Sequence, residues 1–156
     1  MAAKIHKLGP GLVTIGATPL DFSCEVVGAT VTHEYEEVSE AVTRLCGDSL
    51  PGTETRQDGF TAELHNDITE TGLYAYLYQN DMTDQPFEYT PNTEVGTTTP
   101  AVWSGTIRLR LPSEIGADEF GSPIGSEIEW LAVGPLVFAP GVDTAPTAGA
   151  KTKAPA

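Results

Sequence analysis

Hydrophobic and polar residues alternate with a period of two along much of the chain, the spacing of a strand with one face in a core and one in water. In "LDFSCEVVGATVTHEYEE" (20–37), Phe22, Cys24 and Val26 point one way and Ser23, Glu25 and Val27 the other. Gly28 interrupts the pattern and marks a bulge or twist. In "GFTAELHN" (59–66), Phe60, Ala62 and Leu64 form an inner face, with Thr61, Glu63 and His65 outside. "SGTIRLRLP" (104–112) alternates Ile107, Leu109 and Leu111 with Arg108 and Arg110. "GSEIEWLAVGPLVF" (125–138) alternates Ile128, Trp130 and Ala132 with Glu127, Glu129 and Leu131. Shorter strands are predicted at 11–15 and 86–90.

Only "DITETGLYAYLYQND" (67–81) reads helical, with Ile68, Leu73, Tyr76 and Leu77 near a three-to-four repeat. Asp67 or Thr69 is placed to cap its start, and Gly72 predicts that the helix is short. Residues 38–58 carry few large apolar side chains and include Gly47, Pro51 and Gly52, so they read as a long polar loop. A second loop, rich in Thr and Pro, is expected at 90–100. No large apolar residue follows Val142, which predicts a disordered tail over 139–156 after a domain spanning 1–138. Many strands with one helix predict a mainly β fold, a β-sandwich or barrel with one short flanking α-helix.

Charge narrows the function. The 156 residues hold 22 acidic against 8 basic side chains, a net charge of −14. A nucleic-acid reader must neutralise phosphates and carries the opposite sign. An acidic wall that DNA passes without sticking remains physically sensible, because like charges repel. The two cysteines, Cys24 and Cys46, form no disulfide framework and no zinc spacing, and are expected as reduced thiols. The start, "MAAKIHK", lacks the apolar run of a secretory signal, and no segment approaches the ~20 apolar residues of a membrane span. A soluble chain made and kept in a cytoplasm is expected.

One motif invites an enzyme. "RLCGDSLPG" (44–52) contains the Gly-Asp-Ser-Leu string of a family of lipases and esterases, with Ser49 as nucleophile. Such an enzyme needs a histidine base on a late loop, three residues after an aspartate. The histidines here are His6, His33 and His65, all early, and none has that aspartate. Gly-Asp-Ser is also common turn chemistry, so Ser49 reads as a turn residue. No phosphate loop or dinucleotide fingerprint occurs. His33 with Glu34, Glu36 and Glu37 is no metal site, since adjacent strand residues face opposite ways. No catalytic residue, metal or cofactor is expected.

The ordered set "KIHKLGPGLVTIG", "DFSCEVVGATV", "LCGDSLPG", "PFEYTPN", "WSGTIRLRL" and "GADEFGSPIGSEIEWLAVGPLVF" resembles the tail tube (major tail) proteins of long-tailed bacteriophages, particularly those infecting actinobacteria. The resemblance covers residues 4–138, and its most specific parts are "LCGDSLPG" followed by "PFEYTPN" and the stretch from Glu129 to Pro135. It implies a β-sandwich subunit, hexameric rings whose inner strands join into a barrel, and rings stacked into a hollow tube. Its partners would be copies of itself, a tape-measure protein, a tail tip or initiator, a tail terminator and assembly chaperones, with genomic DNA passing unbound. It would reside in the virion tail, after assembly in the host cytoplasm. Glu25, Glu63, Glu127 and Glu129 are the candidate lumen-facing carboxylates, because each alternates with an apolar inner face. In the long loop, Glu40, Arg44, Leu45, Asp48, Leu50 and Arg56 are the candidate contacts to a neighbouring ring. Two rival classes fit the same pattern: a non-enzymatic decoration or adhesin sandwich, and a tail terminator or connector ring that does not stack indefinitely.

Overall fold

A computed structural model describes residues 8–93 and 97–143. The first strands are β1 (Leu12–Ile15) and β2 (Leu20–Asp21), followed by a 3-10 turn at Ser23–Glu25. Next come β3 (Val26–Ser39), β4 (Val42–Thr43), β5 (Ser49–Leu50) and β6 (Thr53–His65). The helix α1 (Leu73–Gln79) leads to β7 (Asp84–Thr90), β8 (Thr97–Thr99) and β9 (Val102–Arg108). The described residues end with β10 (Ile115–Gly116), β11 (Gly125–Leu131), β12 (Val137–Ala139) and β13 (Val142–Asp143). Among the described residues the fold is mainly β with one short α-helix, as the alternation predicts.

Two antiparallel sheets face each other. A five-stranded sheet runs β12-β9-β7-β1-β2, and a four-stranded sheet runs β10-β11-β6-β3. Each presents one apolar face: Val13, Ile15, Phe87, Tyr89 and Ile107 from the first, Phe60, Ala62, Leu64, Ile128 and Trp130 from the second, all buried. Phe60 joins the layers, its ring 4.7 Å from Phe87 and 5.2 Å from Tyr89. At one corner the sheets touch directly, through an Ile107–Ala132 bridge and a Val133 N–H to Thr106 O bond of 2.8 Å. Leu73 and Leu77 of α1 are buried in the same core.

Five sequence expectations need correction. First, 38–58 is largely strand: β3 and β6 stay paired from His33–Asp58 out to Ser39–Thr53, and β4 pairs with β5 inside the turn. The result is a two-stranded arm whose root leaves the sandwich beyond Gly59, where β11 stops pairing with β6. Second, 20–37 is not one strand, because the 3-10 turn interrupts it; Cys24 is exposed there while Phe22 is buried. Third, 125–138 splits into β11 and β12, since Gly134 turns the chain at a φ of 83°, a conformation that favours glycine. Fourth, α1 is shorter than 67–81: Gly72 is its N-cap, and Asp67 instead accepts the Thr69 N–H at 2.9 Å. Fifth, strand pairing continues past 138 and enters the loop expected at 90–100, with Val142 of β13 opposite Thr99 of β8, while 144–156 lies outside the described residues. The bulge expected at Gly28 is present, between Val26 and Gly28.

Candidate assembly surfaces

Residues paired across a β-ladder share a face, so the register places the predicted carboxylates. Glu63 lies opposite Glu127, and Glu129 lies opposite Thr61, all on the side of the four-stranded sheet away from the core. All three are exposed. Two like charges directly opposite each other destabilise a sheet slightly. The packing of this domain gives no reason for them, because Thr or Lys would serve a solvated face equally.

Glu25 sits elsewhere. In the 3-10 turn its Oε1 accepts the Asp67 N–H at 2.7 Å and its Oε2 accepts the Leu73 N–H at 2.9 Å. A helix start leaves N–H groups unpaired, and a carboxylate there satisfies them and complements the helix dipole. Glu25 is thus the cap of α1 from a distant element, half-buried and committed to its own chain.

Flanking the acidic face, the four-stranded sheet has little cover on either edge. Among the described residues β3 pairs with β6 alone, and β10 covers only Gly125 and Ser126 of β11. Unpaired strand edges are templates for another strand.

The arm is the other exposed feature. From residue 33 its ladder runs on for ~20 Å at about 3.3 Å per residue. Leu45 at the tip is wholly exposed, and Tyr35, Val38, Val42 and Leu50 are also exposed. Arg44 and Asp48 close the tip turn through their backbones, Arg44 N–H to Asp48 O at 2.7 Å. Glu40 is exposed just before it. Ser49 pairs with Thr43 in this small hairpin, while His33 is bonded to Asp58 at the arm's other end. The Gly-Asp-Ser-Leu string therefore lies on the arm, away from that histidine.

Arg56 is a root residue rather than a tip residue. Its Nε lies 3.0 Å from Oδ1 of Asp58, which is completely buried. Asp58 escaped the sequence reading, although it is in phase with Phe60, Ala62 and Leu64; extending that alternation back two residues would have flagged a buried carboxylate. Its Oδ1 also accepts from His33 Nδ1 at 2.6 Å, and its Oδ2 accepts the Leu136 N–H at 2.7 Å. Burial alone would raise its pKa. The His33 hydrogen bond, the Leu136 N–H and the charges of Arg56 and His33 outweigh burial and hold the carboxyl below its ordinary value.

Among the described residues no group of three or more His, Cys, Asp or Glu could hold a metal ion. None of the described helices is long and apolar enough to cross a membrane. Cys24 and Cys46 are both free thiols on the surface.

No known protein family and no curated protein matches the sequence. Solved structures do match the fold. A sheath/tube terminator of an extracellular contractile injection system superposes with a TM-score of 0.57 at 11% identity, covering 89% of this chain and 99% of that one. The tube-terminating cap of an anti-feeding prophage gives 0.57 at 12% identity, over 90% and 95%. A chain from the tail of an empty gene transfer agent particle, refined with C6 symmetry, gives 0.52 at 16% identity, over 82% and 94%. The chain is similar over most of its length to subunits of tail and injection-system particles, and it has their fold.

Proposed function

We propose that this chain is a structural subunit of a virion tail that polymerises as stacked hexameric rings into the hollow tail tube. The observation that carries this reading is the four-stranded sheet: core on one face, Glu63, Glu127 and Glu129 on the other, and edges that the described residues leave largely unpaired. Joined edge to edge around a ring, such sheets give a closed barrel whose free face is acidic. A ring also removes the exposed edges that otherwise invite uncontrolled pairing. The acidic face then lines the channel and repels phosphates, over the ~8 Å that salt screening leaves effective. DNA passes without specific binding, and the subunit performs no catalysis.

The arm supplies the axial contact. Its exposed Leu45, Val42 and Leu50, with Glu40, Arg44 and Asp48 around them, reach beyond the subunit's own core. A net charge of −14 keeps free subunits apart until an initiator and a tape-measure protein template them. A terminator and assembly chaperones complete the partner set, in the host cytoplasm before release with the virion. The sequence resemblance favours the tube of a long-tailed phage of actinobacteria.

The purified protein, concentrated and examined by negative-stain microscopy, is expected to form hollow filaments. Shortening the tip by replacing 40–52 with a two-residue turn is expected to leave a folded monomer that no longer polymerises. Normal tubes from the shortened chain would remove the arm from assembly, and a protein that stays globular when seeded with tail tips would defeat the proposal. A second reading, a terminator or cap ring, is favoured by the higher TM-scores of the terminator and cap chains. It is distinguished in the same micrographs by single rings that never stack.

A further inference from the structure

Asp58, with its neighbour Gln57, ties the arm to the segment that follows β11. Its side chain receives the two arm-root residues His33 and Arg56 on Oδ1, at 2.6 and 3.0 Å. Oδ2 receives the buried N–H of Leu136 at 2.7 Å. Its backbone carbonyl accepts the Ala132 N–H at 2.9 Å. That carbonyl also accepts from Gln57 Nε2 at 3.0 Å, and the same amide donates to Ala132 O at 2.9 Å. The segment 132–136 thus hangs on the arm root at both of its ends.

That segment leads directly into β12, the edge strand of the five-stranded sheet. Leu136 is buried against Gly105, where an added Cβ would sit 2.8 Å from the leucine side chain. Val137 and Phe138, just after it, are exposed. A buried ionised carboxylate needs its donors, and once its charge partners leave, the uncompensated ion is driven to take up water, which competes with its remaining bond to Leu136.

We propose that the His33–Asp58–Arg56 cluster is a knuckle that couples the position of the arm to the 132–136 segment and the edge strand β12. Moving the arm pulls His33 and Arg56 from Oδ1, leaves Asp58 under-bonded, and loosens the Leu136 anchor. The coupling is reciprocal, since two contacts that share one carboxylate stabilise each other equally. Its use rests on the tail reading: an arm seated on a neighbouring ring alters the lateral edge of its own subunit, so stacking and ring closure inform one another.

The test is hydrogen exchange by mass spectrometry on the full chain as free subunit, which does not depend on any tube forming. Arg56→Gln and His33→Ala alter only arm-strand residues that do not themselves bond to 132–139. Each is expected to speed exchange of the peptide over 132–139 by about tenfold, together with the arm root, while 60–64 and 126–130 keep wild-type rates. Asp58→Asn is expected to give a larger rise in the same two regions. Should Asp58→Asn fail to fold, the two rim variants carry the result. Exchange that rises only in the arm, or evenly through the whole chain, overturns the coupling. Failure of the protein to make tubes would leave this outcome untouched and count against the tail reading alone.

Discussion

β3 and β6 form one continuous ladder with two different lives. Over 26–32 and 59–65 one face of it is core: Phe60, Ala62 and Leu64 are buried, with Ala29 and Val31 packed beside them. Over 33–39 and 53–57 both faces meet water, and the residues are His, Glu, Tyr, Val, Ser, Thr, Arg and Gln without a buried side. Pairing of β3 with β6 continues through both halves, and β11 adds a third strand beside the inner half alone. What differs is the free energy of burial, so the inner half is anchored by the other sheet and the outer half by its root at Asp58. Cross-strand pairing alone makes a two-stranded ribbon marginal, which is why a buried, triply bonded carboxylate at the root matters.

Breaking the anchored half should cost most. Trp130 is fully buried beside Phe60, its Nε1–H donating to Arg110 O at 3.0 Å. Trp130→Ala is expected to lower stability by about 3–5 kcal/mol, read as the shift of a urea unfolding midpoint. The arm, with no share in that packing, contributes no such loss when shortened.

Asp58→Asn comes next, because it leaves the buried Leu136 N–H with a weaker acceptor and removes the charge partner of Arg56. A loss of about 1–3 kcal/mol is expected by the same denaturation. Its pH dependence has a definite sign. Asp58 has a folded-state pKa below its ordinary 3.8, so it contributes stability above that value and loses the contribution as pH falls through the folded value. Wild type should therefore lose more stability than Asp58→Asn as the pH is taken below about 4, and parallel curves would show that the carboxylate is not held as described.

A smaller effect of opposite sign is expected on the acidic face. Glu127→Gln relieves the direct opposition to Glu63 and should stabilise the subunit by a few tenths of a kcal/mol, less at high salt. Thermal melts at two ionic strengths check this. The smallest change in stability is expected at the tip: Leu45→Ser should move the melt by less than about 0.5 kcal/mol, since Leu45 touches no core, yet reduce filament formation in micrographs. Equal loss at Leu45 and at Trp130 would erase the distinction between the two halves.

The inner half was readable and the outer half was not, for one physical reason. Period-two alternation records a difference between faces, as Phe60, Ala62 and Leu64 against Thr61 and Glu63 do. Glu34 to Val38 and Thr53 to Gln57 have no such difference, so a paired ribbon looks like a polar loop. The acidic set was partly legible: Glu63, Glu127 and Glu129 share a face because strand parity assigns faces directly. Glu25 misled, because a 3-10 turn shifts parity and delivers its carboxylate to α1.

The amino-acid order by itself determined the mainly β class, the inward residues of 59–65 and 125–131, the short helix and the acidic balance. Each follows from local side-chain chemistry repeated at a fixed period. The tertiary structure alone decided which strands neighbour one another, that Glu63 faces Glu127, that the long loop is a ribbon, and that Asp58 meets His33, Arg56 and Leu136. Those are contacts between residues far apart in the chain, set by how two sheets pack and where one ends before the other. No local pattern encodes that distance.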